Sequence, residues 1–279
     1  MKRVLVIGHG FVGSALETSF HEEVEKKIVD PKYNTKVQDF ASFNPHLVFI
    51  CVPTPSKSDG SIDTSILEKV TKECIDLYPK SIITIKSTCL PNILKDLQNL
   101  SKRVIHNPEF LTEKNAVDDF ISSPFQIFGG NKENCVYVSD FLKNYTKCKF
   151  VESHYVSMEV ASLIKYTINS FLAIKVVFFN QIKEIFETLE LENEYENFTN
   201  GVRLDERIGS SHMKVPGPDG RVGFGGACFP KDTKAFVHFF NENKAHFSIL
   251  EDAIKVNDKI RKSYIQMLDR EKEQNIDFQ

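Results

Sequence analysis

The sequence predicts an α/β protein, with an N-terminal Rossmann-type doubly wound sheet followed by a helical domain built on one long helix. Three observations carry this. Short apolar runs alternate with helical patterns through residues 1–153, the signature of a parallel sheet wrapped by helices. A G-H-G-F-V-G turn at residues 8–13 directly follows the first run. From residue 154 the alternation stops, and one apolar helical pattern runs on to Phe186. Domains of 1–153 and 154–279 are expected.

Composition bounds the function. With 41% hydrophobic and 26% charged residues, the chain can build a core and keep a wet surface. A net charge of −3 offers no basic face to nucleic acid or to an anionic membrane. The N-terminus turns polar too soon for a secretory leader, and no stretch approaches the roughly 18 apolar residues of a membrane span. Six cysteines without a C-x-x-C pair fit a reducing compartment and no metal site. A cytoplasmic location is expected.

Residues 4–7, V-L-V-I, are apolar throughout, as in a strand buried on both faces. Strand, G-x-G-x-x-G and an apolar-periodic helix through Ala15, Leu16 and Phe20 make a dinucleotide-binding fingerprint. Its glycines bring a pyrophosphate to a helix N-terminus. A second strand ends in Asp30, which can accept from a ribose 2′-hydroxyl and would repel a 2′-phosphate, so NAD is favoured over NADP. Further strands are expected at 47–51, 81–85, 103–105 and 125–128, with helices at 64–78 and 131–144. Three polar clusters directly follow strands: C-V-P-T-P at 51–55, K-S-T-C at 86–89 and H-N-P-E-F-L-T-E at 106–113. The carboxyl ends of such strands are where ligands bind.

The long helix carries apolar residues on more than one face, from Val156 to Phe186, and is expected to be buried, in part against a second copy of itself. Lys165 and Asn169 project from one face, one turn apart. The lysine is either a snorkelling surface residue or a functional charge. Residues 187–200 read as a solvated, acidic helix end and loop, 207–222 as turns, 249–268 as a helix and 269–279 as a frayed polar end. The stretch 223–232, G-F-G-G-A-C-F-P-K-D, reads as a glycine loop entering a helix, with Pro230 first and Asp232 in the first turn. There the thiol of Cys228 is either a nucleophile activated by the helix N-terminus or a small buried group.

Together these motifs, with K-Y-x-x-N at 165–169 and R-I-G at 207–209, resemble the UDP-glucose/GDP-mannose 6-dehydrogenase family over residues 1 to about 265. The resemblance implies NAD-dependent, four-electron oxidation of a nucleotide sugar through a cysteine thiohemiacetal and thioester. UDP-glucose going to UDP-glucuronate is the first expectation. GDP-mannose, an N-acetylated UDP-sugar or an inactive NAD-binding subunit are the alternatives. It implies Cys228 as nucleophile, Lys165 and Asn169 as oxyanion donors, Asp232 and Thr88 as positioners of a water, and Glu109 as acid/base. Cofactor contacts are implied at Gly8, Gly10, Phe11, Val12, Gly13, Asp30, Val52, Pro53, Thr54, Thr88 and Glu113. Substrate contacts are implied at Glu109, Phe110, Leu111, Lys165, Asn169, Phe224, Gly225 and Cys228, and at Arg207 reaching in from a homodimer partner. The family's usual arginine in N-P-E-F-L-R-E is Thr112 here. Members usually continue into a third domain for the nucleotide; a short form without it is expected.

Overall fold

The structure is a computed structural model and describes residues 1–264 and 266–278, with the backbone but not the side chain of Glu113. Seven strands, β1 (Lys2–Ile7), β2 (Val24–Val29), β3 (Leu47–Ile50), β4 (Ile82–Ile85), β5 (Val104–His106), β6 (Phe125–Gly129) and β7 (Glu152–Val156), lie in the order β2-β1-β3-β4-β5-β6-β7. The first five are mutually parallel. β6 joins β5 antiparallel through the pair His106–Gly129, and β7 runs parallel to β6. The sheet is therefore mostly parallel. Between β5 and β6 the chain forms α4 (Ala116–Ser122), whose seven residues are too few to carry a crossover back along the sheet.

Burial explains why the early strands read as continuous apolar runs. Along β1, Val4 and Val6 join one core with Ala15 and Leu16 of α1 (Phe11–Ser19), Phe120 of α4, and Val138 and Leu142 of α5 (Lys132–Tyr145). Leu5 and Ile7 point the other way, to Leu67 and Cys74 of α2 (Ser65–Leu77) and Leu94 and Leu97 of α3 (Pro91–Leu100). Both faces of the sheet are covered, and each such aliphatic side chain contributes about 1.5–3 kcal/mol by leaving water. β7 behaves differently: its E-S-H-Y-V is half exposed at the sheet edge, so the sequence gives it no apolar run.

The chain divides into two compact units, Met1–Thr54 with Asp63–Lys165, and Pro55–Ile62 with Tyr166–Gln279. The expected boundary at 153 falls inside β7. The second unit holds most of α6 (Met158–Thr188), then α7 (Tyr195–Val202), α8 (Phe229–Glu242), α9 (Ser248–Arg261) and α10 (Asp269–Glu273). Ala173 and Val177 of α6 pack with Phe224 and Ala253, and Tyr166 stacks on Phe236 at 5.3 Å. Two expectations are corrected. The acidic stretch 187–200 contains α7, anchored by Tyr195, whose buried hydroxyl lies 3.0 Å from the carbonyl oxygens of Phe179 and Met213. Residues 269–278 are not frayed as a segment: Glu271 is fully buried and Ile276 nearly so.

The expectation about membrane spans is also corrected. An 18-residue window of α6 has mean hydropathy 1.4, long and apolar enough by composition to cross a membrane. Half of that window is buried inside the protein, and α6 also buries Ser162, Lys165, Asn169, Ser170, Lys175 and Asn180. Its high hydropathy thus includes a core-facing role. Phe171, Phe178 and Ile185 lie seven residues apart on an exposed face.

His106 supplies a pH test. Its ring is fully buried, with Nδ1 donating to the Ile85 carbonyl at 3.0 Å. Burial pushes its pKa down to about 3; the Ile85 bond opposes this, and nearby Lys86 and Lys165 add to it. In the unfolded chain it titrates near 6.5. Stability from the neutral ring is therefore complete above about pH 6.5 and is lost as pH falls toward about 3, because the unfolded state binds the proton first. The unfolding free energy from urea titration should fall across that window by up to about 1.4 kcal/mol per pH unit, and His106→Gln should flatten the slope.

Candidate active site

In the first unit the glycine turn sits where β1 meets α1. The Gly8 N–H donates to Val29 at 2.8 Å, and a Cβ at Gly13 would overlap the Gly8 carbonyl, so helix and strand close on each other there. Gly10 faces open space instead. It is the N-cap of α1, gives no side-chain cap, and no acid stands in the first turn. The N–H groups around Phe11, Val12 and Gly13 and the helix dipole thus suit a phosphate. Asp30 accepts from the N–H of His9 at 2.6 Å and of Lys32 at 2.9 Å, leaving lone pairs for ribose hydroxyls. Lys32 donates to the His9 carbonyl at 2.6 Å and Tyr33 bonds His9 Nδ1 at 3.0 Å. These residues fit a dinucleotide.

The carboxyl ends of β3, β4 and β5 meet as expected. Thr54 donates to the Thr88 carbonyl at 2.9 Å, and Ser87 to the Val52 carbonyl at 2.7 Å. Pro53 is exposed between Val52 and Thr54. After β5, Glu109 is 6% exposed and its carboxylate stands 2.9 Å from Lys86 Nζ. This is an ion pair by distance; the well-aligned bonds of Lys86 go to Asn107, at 2.8 Å to its Oδ1. Asn107 in turn donates to Gln126 and Ile127 at 3.0 and 2.8 Å. Phe110 packs on Phe125 at 5.2 Å, and Lys165 Nζ lies 5.1 Å from the Phe110 ring centre. Lys165 is thus a buried charge and not a snorkelling one. Leu111 packs against the core beneath. The side chain of Glu113 lies outside the described residues.

In the second unit Cys228 is the N-cap of α8, so the helix starts at Phe229, with Pro230 one place later than expected. Asp232 is fully buried. Its N–H donates to the Cys228 carbonyl at 2.8 Å, one oxygen accepts from Asn169 Nδ2 at 2.6 Å, and the other pairs with Lys231 at 2.6 Å. Phe224 is buried beneath the glycine loop, 6.3 Å from Phe229. Arg207 is not drawn in: its side chain is 89% exposed and forks onto Asp205 at 2.9 and 2.6 Å. Lys175 holds the loop beside it, donating to the carbonyls of Ile208 at 2.9 Å and Gly209 at 3.3 Å.

Four of the remaining thiols are unreactive by burial, which pushes Cys51, Cys74 and Cys135 up to about 12 and Cys148 to about 11. At neutral pH they stay protonated and are poor nucleophiles. Sequence reasoning passed over Lys86, Lys175 and Lys231 as functional side chains. The signal for Lys86 was a charge placed directly after the buried run of β4. Removing it leaves a buried carboxylate without its cation. Lys86→Met should therefore cost about 3–5 kcal/mol in urea unfolding, and the double variant Lys86→Met/Glu109→Leu should recover most of that.

Residues 16–147 match the NAD binding domain of the UDP-glucose/GDP-mannose dehydrogenase family, and residues 159–259 match its central domain. A UDP-glucose 6-dehydrogenase of Rickettsia bellii is 35% identical over 221 residues, covering 77% of this chain and 49% of that one. UDP-glucose 6-dehydrogenase TuaD of Bacillus subtilis is 27% identical, covering 94% and 64%. The fold is similar to that of a UDP-glucose dehydrogenase from Pyrobaculum islandicum, at TM-score 0.76 and 24% identity over 93% of this chain and 68% of that one. The chain spans about half the length of the Rickettsia relative. Its first unit carries the family's NAD-binding domain, and the chain belongs to the UDP-glucose/GDP-mannose dehydrogenase family.

Proposed function

We propose that this chain oxidises the primary alcohol of UDP-glucose to the carboxylic acid, giving UDP-glucuronate, with two NAD consumed per sugar. The observation that carries this reading is a cysteine at a helix N-terminus, one turn from a buried aspartate held by Asn169 and Lys231. A one-step alcohol dehydrogenase has no use for that thiol. The cofactor supplies the hydride acceptor for each oxidation.

The chain's own groups do the rest. Lys165 and Asn169 donate toward the substrate oxygen as negative charge develops there, an effect worth about 3 kcal/mol per donor. The Cys228 thiolate adds to the aldehyde carbon left by the first oxidation. A C–S bond forms, the carbonyl π pair moves to oxygen, and a proton joins it, giving a thiohemiacetal that again carries a transferable hydrogen. Loss of that hydrogen as hydride, and of the hydroxyl proton, leaves a thioester. Water then adds to the acyl carbon, Glu109 takes its proton, and the C–S bond breaks to return the thiolate and free the acid. Thr88 and Asp232 serve in placing that water.

A second copy of the chain completes this reading. Phe171, Phe178 and Ile185 form an exposed apolar row along α6, suited to pair with its own twin. Arg207 would then exchange its Asp205 fork for the substrate bound by the partner, offering it a planar set of N–H donors.

Run to completion on limiting UDP-glucose, the reaction should yield two NADH per sugar. One NADH would leave Cys228 without a role; none, beside turnover of GDP-mannose or an N-acetylated UDP-sugar, would reassign the substrate. Cys228→Ala should form no acid. Phe178→Glu should shift the sedimenting species from dimer to monomer and depress turnover; an unchanged dimer would rule out pairing through α6.

A further inference from the structure

The loop 222–226 leads into Cys228 without helical or strand pairing of its own. Side chains from distant parts of the second unit take its N–H groups instead. Val222 donates to the Tyr264 hydroxyl at 3.0 Å, Gly223 to Asn180 Oδ1 at 2.8 Å and Phe224 to Asn257 Oδ1 at 2.7 Å. Gly226, two residues before the thiol, donates to Glu271 Oε1 at 3.2 Å. Glu271 has a fully buried side chain. Its Oε1 lies 2.7 Å from Arg261 Nη2, and its Oε2 accepts from the Leu268 N–H at 2.8 Å. The guanidinium, also fully buried, reaches Asp219 with its other nitrogen at 2.8 Å. It therefore joins carboxylates from both sides of the glycine loop. A Cβ at Gly225 would overlap this guanidinium, so the backbone runs directly across it.

The segment bearing Glu271 is itself fastened. The Ser56 N–H donates to the Gln274 carbonyl at 3.0 Å, and Lys234 of α8 donates to the Asp277 carbonyl. A buried ion pair is a weak source of stability, because apolar residues of the same volume do as well. What it supplies here is a fixed, charged acceptor at one point of the loop.

We propose that Glu271, oriented by Arg261, is a positioning residue for Cys228: through the Gly226 N–H it sets the backbone path that places the thiol at the start of α8. This rests on Cys228 being the nucleophile. Loss of the acceptor frees the turn between Gly225 and Cys228, and the thiol leaves the field of the helix N-terminus.

The test is the rate of iodoacetamide alkylation at Cys228, mapped by peptide mass spectrometry between about pH 6 and 9, in wild type, Glu271→Ala and Glu271→Gln. Circular dichroism and NAD affinity report folding of each variant. Glu271→Ala should slow alkylation roughly ten- to hundredfold, as small displacements of reacting groups do, and move its pH midpoint upward. Turnover should fall with it at unchanged KM. The isosteric Glu271→Gln, which keeps an acceptor for Gly226 but not its charge, should lie between. A folded variant with the wild-type alkylation profile overturns the proposal, and if Glu271→Ala does not fold, Glu271→Gln decides. Wild-type enzyme that stays active after Cys228 is alkylated is a different result: it overturns the nucleophile reading and this inference with it.

Discussion

A charge withdrawn from water needs a partner, and several side chains in and around the candidate site are placed by that requirement. Lys86 and Glu109 stand 2.9 Å apart with almost no solvent contact. Lys231 and Asp232 are 2.6 Å apart and the same aspartate binds Asn169. Arg261 and Glu271 are 2.7 Å apart and both wholly buried. None of these pairs need add net stability, since desolvation offsets much of the attraction. Each does forbid alternatives, because a rotamer that separates the partners strands a charge in a medium of low dielectric. The cost of misplacement is several kcal/mol, and that steepness fixes geometry better than apolar packing, which tolerates small shifts.

The same requirement explains what the sequence showed and what it hid. Strands buried on both faces must be apolar throughout, so β1, β3 and β4 were legible as runs, and the glycine turn after β1 was legible as a fingerprint. Helices α2 and α5 were found within a residue or so, because their buried positions recur at helical spacing. β7 was missed because half of E-S-H-Y-V faces outward at an edge. The reversal of β6 was missed because strand direction depends on the connection and leaves no mark on composition. Cys228, Asn169 and Asp232 could be singled out by their motifs. The hydrogen bond that joins Asn169 to Asp232 across 63 residues could not. Asp269 to Gln279 read as frayed because a polar segment gives no sign that one of its acids has a buried arginine waiting for it.

Helix α6 shows how far composition can mislead when partners are ignored. Its hydropathy would suit a lipid environment, yet the residues it buries include two lysines and two asparagines. In hydrocarbon each would be expensive. Here Lys175 spends its protons on two loop carbonyls, and Asn180 accepts the Gly223 N–H at 2.8 Å while donating to its own helix. Part of the helix is apolar because it faces the core, and Lys175 and Asn180 are points where it organises loops.

That division of labour bears on how the glycine loop works. Glycines beside a candidate nucleophile are often read as a source of mobility, but this loop is held at most of its backbone N–H groups. Four of the five N–H groups at 222–226 are held by side chains from α6, α9 and the segment beyond it. The glycines are required for the opposite reason. At Gly225 any side chain would occupy the space of the Arg261 guanidinium, and at Gly223 it would meet the Asn257 amide. Small residues let the backbone come close enough to be gripped, and the grip ends at the start of α8. A loop built this way ties the backbone before the thiol to a remote carboxylate, at the expense of room for side chains at Gly223 and Gly225.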